Sequence, residues 1–237
     1  MERIILMVIK SLFNLPMWYI NILKFCHVEK YEEAVRYAFL KSIVTKVNKR
    51  GRIRIEAFGT ENLPKENGYI LYPNHQGLFD ALAIIECHDK PFTTVSKKEV
   101  ENLFVIKYVF KILQAKFIDR DDVRQSMKIM IEVTKDVKEG RNYLIFPEGT
   151  RSKNGNNIGP FKGGSFKSAM NARCPIVPVA MIDAFKVFDT HSIKKATVQI
   201  HYLEPLYYED YKDMKSVEIA DLVSERIKKT IAENEYR

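Results

Sequence analysis

A histidine and an aspartate five residues apart, His75 and Asp80, sit in the short turn Asn74-His75-Gln76-Gly77-Leu78-Phe79-Asp80, directly after the apolar run Gly68-Tyr69-Ile70-Leu71-Tyr72. General-base chemistry needs such a pair: an imidazole to take the proton, and a carboxylate to fix its tautomer and stabilise the imidazolium that forms. The apolar run reads as a short buried strand. Pro73 ends it, which puts His75 at the strand's C-terminal end, where open α/β sheets carry their chemistry. A helix starting near Leu78 places Asp80 in its first turn, within reach of Nδ1 and leaving Nε2 free. Such pairs also occur in ordinary surface turns, so a second loop of the same design carries weight. The run Tyr143-Leu144-Ile145-Phe146 is broken by Pro147 and followed by Glu148-Gly149-Thr150-Arg151-Ser152. Two further apolar runs lead to polar or proline-marked ends, Phe117-Ile118-Asp119-Arg120 and Pro175-Ile176-Val177-Pro178-Val179.

Taken in order, these four segments resemble the 1-acyl-glycerol-3-phosphate acyltransferase family. Its pattern is an Asn-His-x4-Asp block, a Phe-Ile-x-Arg block, a Phe-Pro-Glu-Gly-Thr-Arg-Ser block and a Val-Pro-Val-type block. The matching residues are His75 and Asp80, Arg120, Glu148 with Gly149 and Arg151, and Pro178; the likeness spans about residues 60 to 185. One departure is Gln114-Ala115-Lys116, where related sequences carry a glycine shortly before the Phe-Ile-x-Arg block. The resemblance implies acyl transfer without a covalent enzyme intermediate. His75 deprotonates the free hydroxyl of a lysophospholipid as it attacks an acyl thioester, and Asp80 stabilises the imidazolium. The thioester, of coenzyme A or of acyl carrier protein, is a co-substrate; no cofactor and no metal are expected. Arginine presents permanent charge in a fork suited to phosphate, so Arg120 and Arg151 are the candidates for holding the glycerol phosphate. Glu148 orients an arginine or a substrate hydroxyl, and the Gly149-Thr150 backbone approaches the ligand. Lys97 follows an apparent strand, Phe92 to Val95, and is a further phosphate candidate, though a lysine pair with Lys98 is equally compatible with plain solvation. Two other classes remain open: a thioester hydrolase using the same His-Asp pair on water, and a lipid-binding module using the arginines without chemistry.

The elements that must position these residues read as one α/β domain, with a mostly parallel central sheet flanked by helices. Residues 51 to 237 are assigned to it, and residues 1 to 50 to an N-terminal helical membrane-associating segment. The 237 residues, 46% hydrophobic and 29% charged, suit a single core of ordinary size. The net charge of +8 points to an anionic partner. The first 50 residues hold nine Lys or Arg against four Glu, and basic residues beside apolar ones suggest a membrane surface rather than nucleic acid. Residues 4 to 26 are largely apolar but cut by Lys10, Asn14, Pro16 and Lys24. The uncharged stretch from Ser11 to Leu23, as a helix, covers only roughly 20 Å of a hydrocarbon core about 30 Å thick. It reads as an interfacial helix, with Trp18 and Tyr19 at headgroup level, rather than as a span; a core helix buried against the domain is the alternative for an apolar run this short. The expected location is a membrane surface on the cytoplasmic side; three cysteines at no metal-ligand spacing suit a reducing compartment.

Periodicity predicts a helix over 29–49 with Tyr31, Ala34, Val35, Ala38, Phe39, Ile43 and Val47 on its apolar face, a strand over 52–57, and a helix over 122–139 whose methionines are core filler. Further helices are expected from Lys162 to before Pro175 and from about Met214, and an edge strand over 197–202.

Overall fold

The computed structural model describes residues 2–101, 106–119 and 121–235. Three helices come first: α1 (Glu2–Ser11), α2 (Leu15–Phe25) and α3 (Glu33–Arg50). The chain then alternates as β1 (Ile53–Phe58), β2 (Ile70–Pro73), α4 (Asp80–Cys87), β3 (Thr93–Lys97), α5 (Ile106–Leu113), β4 (Lys116–Ile118), α6 (Val123–Lys138), β5 (Tyr143–Leu144), α7 (Lys167–Ala172), β6 (Ile176–Ile182), α8 (Phe185–Phe188), β7 (Ala196–Tyr202), α9 (Tyr208–Tyr211) and α10 (Ser216–Asn234). The strands form one sheet in the order β1-β7-β6-β2-β5-β3-β4. From β6 to β4 every pairing is parallel, while β7 runs antiparallel to β6 and carries β1 parallel to itself. The α/β architecture is the expected one.

Both faces of the sheet are covered, which explains why the central strands are continuously apolar. Side chains alternate between two cores. Tyr69, Leu71, Leu144, Val177, Val179 and Met181 pack under α1, α3, α4 and α5. Ile70, Tyr72, Tyr143, Ile176, Ala180 and Ile182 pack under α6, α7 and α10. Residues Tyr69 to Tyr72 are all fully buried, and a side chain such as Ile70 or Leu71 contributes about 1.5–3 kcal/mol by leaving water. The strand that delivers His75 is therefore held from both sides.

Four local expectations are corrected. The strand over 197–202 is not at an edge: β7 lies between β1 and β6, because an antiparallel return beside β6 offers it two partners. In α3 the core face is Arg36, Tyr37, Leu40, Val44 and Asn48, whereas Val35 is 48% exposed. Of the α6 methionines expected as core filler, Met130 packs against the core and Met127 does not: Val133 and Val137 are the buried positions, and Val123, Met127 and Ile131 form an exposed stripe at helical spacing. Trp18 is not free for a headgroup layer, being 5% exposed beneath the Arg50 guanidinium, whose Cζ stands 5.1 Å from the ring centroid.

The N-terminal helices share the core of the α/β unit. Met7 and Cys26 belong to the same cluster as Leu71 and Val177. Arg3 is buried and donates to the carbonyls of Val187 (3.0 Å), Gly51 (2.7 Å) and Lys194 (2.9 Å). The outer face of the same segment is apolar and exposed, with Ile9, Leu12, Phe13 and Ile20 on it.

Candidate active site

β2 and β5 are parallel neighbours, Ile70 beside Tyr143 and Leu71 beside Leu144, so the loops after them leave the same edge side by side. This alone brings the two polar motifs together. In the first loop, His75 Nδ1 lies 2.7 Å from Asp80 Oδ2. The same carboxylate accepts the backbone N–H of Gln76 (2.6 Å) and of Gly77 (3.1 and 3.0 Å to its two oxygens). Asp80 is fully buried in the first turn of α4, where the helix dipole favours negative charge. With Nδ1 donating to Asp80, the lone pair of the ring is on Nε2, which has no hydrogen-bond partner among the described residues. The imidazole stacks on Phe146, with centroids 4.1 Å apart, and its side chain is 22% exposed. Gly77 permits the turn: a Cβ there would come 2.8 Å from Asp189 Oδ2 and 3.6 Å from Phe185 Cα.

The second loop is tied to the first by its carboxylate. Glu148 Oε1 accepts the His75 backbone N–H (2.7 Å) and Oε2 accepts that of Gly159 (3.0 Å), while Ser152 N donates to His75 O (2.9 Å). Burial pushes the Glu148 carboxyl above the ordinary carboxylate range, and the two N–H groups pull against that. Glu148 thus braces the histidine loop by its backbone, a more specific task than the sequence suggested. Gly149 has φ +70°, a left-handed conformation that suits glycine, and a Cβ there would meet Lys162 Nζ at 3.1 Å. Thr150 is exposed. Arg151 is half-buried, and its guanidinium makes no hydrogen bond or ion pair among the described residues.

Lys97 is farther away. It ends β3, two strands from β2 and so roughly 10 Å across the sheet, at the same edge. It is exposed and paired with Glu99. Arg120 lies outside the described residues. Among the described residues no group of three or more His, Cys, Asp or Glu could hold a metal ion.

Three amides that the sequence did not single out hold the floor of the site. Asn74 exchanges two hydrogen bonds with the backbone of Met181 (3.0 and 2.7 Å), clamping the start of the loop to β6. Gln76 donates to Asn156 Oδ1 and Met181 O and accepts from Ala184 N. Asn156 in turn bonds Asp183 and Glu235. Asn156 follows Asn154-Gly155, a turn signal visible in the sequence, but its partners are 27 to 80 residues distant. Lys162, beside Gly149, was also missed.

Fold and site together define an α/β enzyme with a histidine–aspartate pair at the end of a central parallel strand. The family model described as Acyltransferase matches residues 53–182, more than half of the chain and both motif loops, and the chain belongs to that family. It is an acyltransferase. Among similar curated proteins is one from Mycoplasma pneumoniae named "Probable 1-acyl-sn-glycerol-3-phosphate acyltransferase", 26% identical over 86% of this chain and 81% of the relative. The 1-acyl-sn-glycerol-3-phosphate acyltransferase of Borreliella burgdorferi is 29% identical over 65% of this chain and 62% of its own length. The alpha form from Ovis aries is 30% identical over 72% and 60%. The chain thus spans a little under two thirds of the latter two. The crystal structure of the 1-acyl-sn-glycerophosphate acyltransferase PlsC from Thermotoga maritima superposes with a TM-score of 0.76 over 98% of both chains at 20% identity, a likeness of fold.

Proposed function

We propose that this acyltransferase moves an acyl chain from a thioester to the free hydroxyl of 1-acyl-glycerol-3-phosphate, giving phosphatidic acid at a membrane surface. The observation that carries the reading is the commitment of His75 Nδ1 to a buried carboxylate, which leaves Nε2 as the basic nitrogen at a strand end. Nε2 takes the hydroxyl proton as the oxygen attacks the thioester carbonyl, and Asp80 stabilises the imidazolium; the proton then goes to the leaving thiolate. No covalent enzyme intermediate is needed. The names of the relatives support lysophosphatidic acid as acceptor. Arg151, half-buried beside His75 through the Ser152–His75 hydrogen bond and without a counter-charge, suits its phosphate, and Arg120 and Lys97 complete the phosphate set. The acyl thioester is carried by coenzyme A or acyl carrier protein, with no further cofactor.

The N-terminal segment, residues 1–50, supplies membrane association and residues 51–237 the chemistry. Glu2 to Phe25 is long and apolar enough to cross a bilayer by length and composition. Arg3, Met7, Ser11 and Trp18 are buried against the domain, however, and a span would have to release them. Lying in the interface at the cytoplasmic face keeps these contacts and still covers Ile9, Leu12, Phe13 and Ile20.

The test is the product formed from lysophosphatidic acid and a labelled acyl thioester. Label in phosphatidic acid, dependent on His75, supports the reading. Equal thioester consumption with and without acceptor would indicate hydrolysis and sink it.

A further inference from the structure

At the junction of α1 and α3, Lys10, Asn14, Lys46, Lys49 and Arg50 line an open cavity of about 470 Å³. Four of the five are cations and none is a carboxylate. None of the four makes an ion pair among the described residues, whereas Lys41, Lys116 and Lys186 each pair with a carboxylate. Arg50 is held in place: Nη2 donates to Asn14 Oδ1 (2.5 Å) and the guanidinium lies over Trp18, while its buried Nη1 has no acceptor. The C-terminus of α3 lies here and attracts cations, but it carries only about half an elementary negative charge, and α1 runs on through the turn at Leu12–Asn14 into α2. Four cations exceed that by about three and a half charges, so the cluster repels itself unless an anion joins it.

The surroundings indicate where the anion comes from. Ile9, Leu12 and Phe13 flank Lys10 and Asn14 in sequence and are 65%, 59% and 98% exposed. β1 starts just after α3 and runs opposite to β2, so the cavity lies toward the sheet edge at which β2 delivers His75. We propose that Lys10, Lys46, Lys49 and Arg50 form a binding site for the phosphate headgroup of an anionic membrane phospholipid, which seats the chain with the His75 edge toward the bilayer. This rests on the membrane association proposed above and adds a discrete headgroup site to it.

Lys46 and Lys49 are exposed, so K46Q/K49Q removes two charges without disturbing the packing of Arg50. The control, K138Q/K229Q, removes the same charge from exposed positions on α6 and α10. Full-length proteins are co-sedimented with phosphatidylcholine vesicles with and without phosphatidic acid. The expected result is that K46Q/K49Q loses affinity for the anionic vesicles by roughly tenfold or more, while the control stays within about twofold of the native chain. Equal losses in both variants would reduce the cluster to diffuse surface charge and overturn the site, as would no loss in either. Inorganic phosphate at constant ionic strength is the third arm: if it raises the Tm of the native chain while K46Q/K49Q binds vesicles normally, the cavity serves soluble phosphate and the proposal fails. Failure of the underlying reading looks different, since the native chain itself would then bind neither vesicle. Acyl transfer on detergent-dispersed substrates reads the proposed chemistry independently of both.

Discussion

His75 can act as a base because its environment makes opposite demands on its two nitrogens. Nδ1 faces a buried carboxylate already anchored by two backbone N–H groups, so Asp80 is held in place, and Nε2 has no partner among the described residues. His75→Ala should therefore abolish acyl transfer, while Asp80→Asn, which keeps the shape but loses the charge, should retain a remnant some 10²–10⁴-fold below the native kcat. Near-native turnover in His75→Ala would remove the base assignment. Arg151 touches no acid and sits one residue from the Ser152–His75 hydrogen bond. Arg151→Ala is expected to raise the acceptor KM about tenfold or more with a smaller change in kcat, and unchanged kinetics would place the phosphate elsewhere. His75 and Asp80 were legible in the sequence because their contact is made within one turn. The bracing by Glu148, and the clamps through Asn74, Gln76 and Asn156, were not, because each joins segments 27 or more residues apart and depends on which strands are neighbours.

Helices and strands were legible to the extent that their burial is decided locally. β2 and β6 are enclosed on both faces, and their unbroken apolar sequence says so directly. The antiparallel return of β7 is a property of pairing, and nothing within residues 196–202 distinguishes an edge strand from one with two partners. In α3 and α6 the apolar residues cover more than one face, so periodicity could not choose which face meets the sheet. In α6 the surplus became the exposed stripe Val123, Met127 and Ile131. The α1–α2 unit resolves the same ambiguity in both directions, with Arg3, Met7 and Trp18 turned inward and Leu12 and Phe13 outward. L12S/F13S should accordingly weaken binding to neutral and anionic vesicles alike, through lost apolar burial in the interface, and leave the Tm in solution within about 2 °C. A large drop in Tm with unchanged vesicle binding would mean that these side chains serve the fold.

The molecule as a whole carries a polar node far from its reaction edge. His88 follows α4, fully buried, with Nε2 2.9 Å from the Tyr69 hydroxyl, while its carbonyl receives the Tyr37 hydroxyl and the Lys41 ammonium. Burial, then the Lys41 charge, pulls its pKa from 6.5 down to about 4. The unfolded chain binds this proton more readily than the folded one, so stability falls as pH drops from about 6.5 toward 4, by at most about 1.4 kcal/mol per pH unit. Chemical denaturation across that window should show a shallower slope in His88→Gln than in the native chain; identical slopes would exclude His88 as a contributor. Arg3 imposes a different kind of order. Its three acceptors are the carbonyls of Gly51, Val187 and Lys194, the last of them 191 residues downstream. With synthesis at about 5–20 residues per second, roughly 10–40 s separate the emergence of Arg3 from that of its final partner. During that interval the first two helices have no finished domain to dock on, and a nearby bilayer can take up their apolar face before the sheet that will hold their other face has been made.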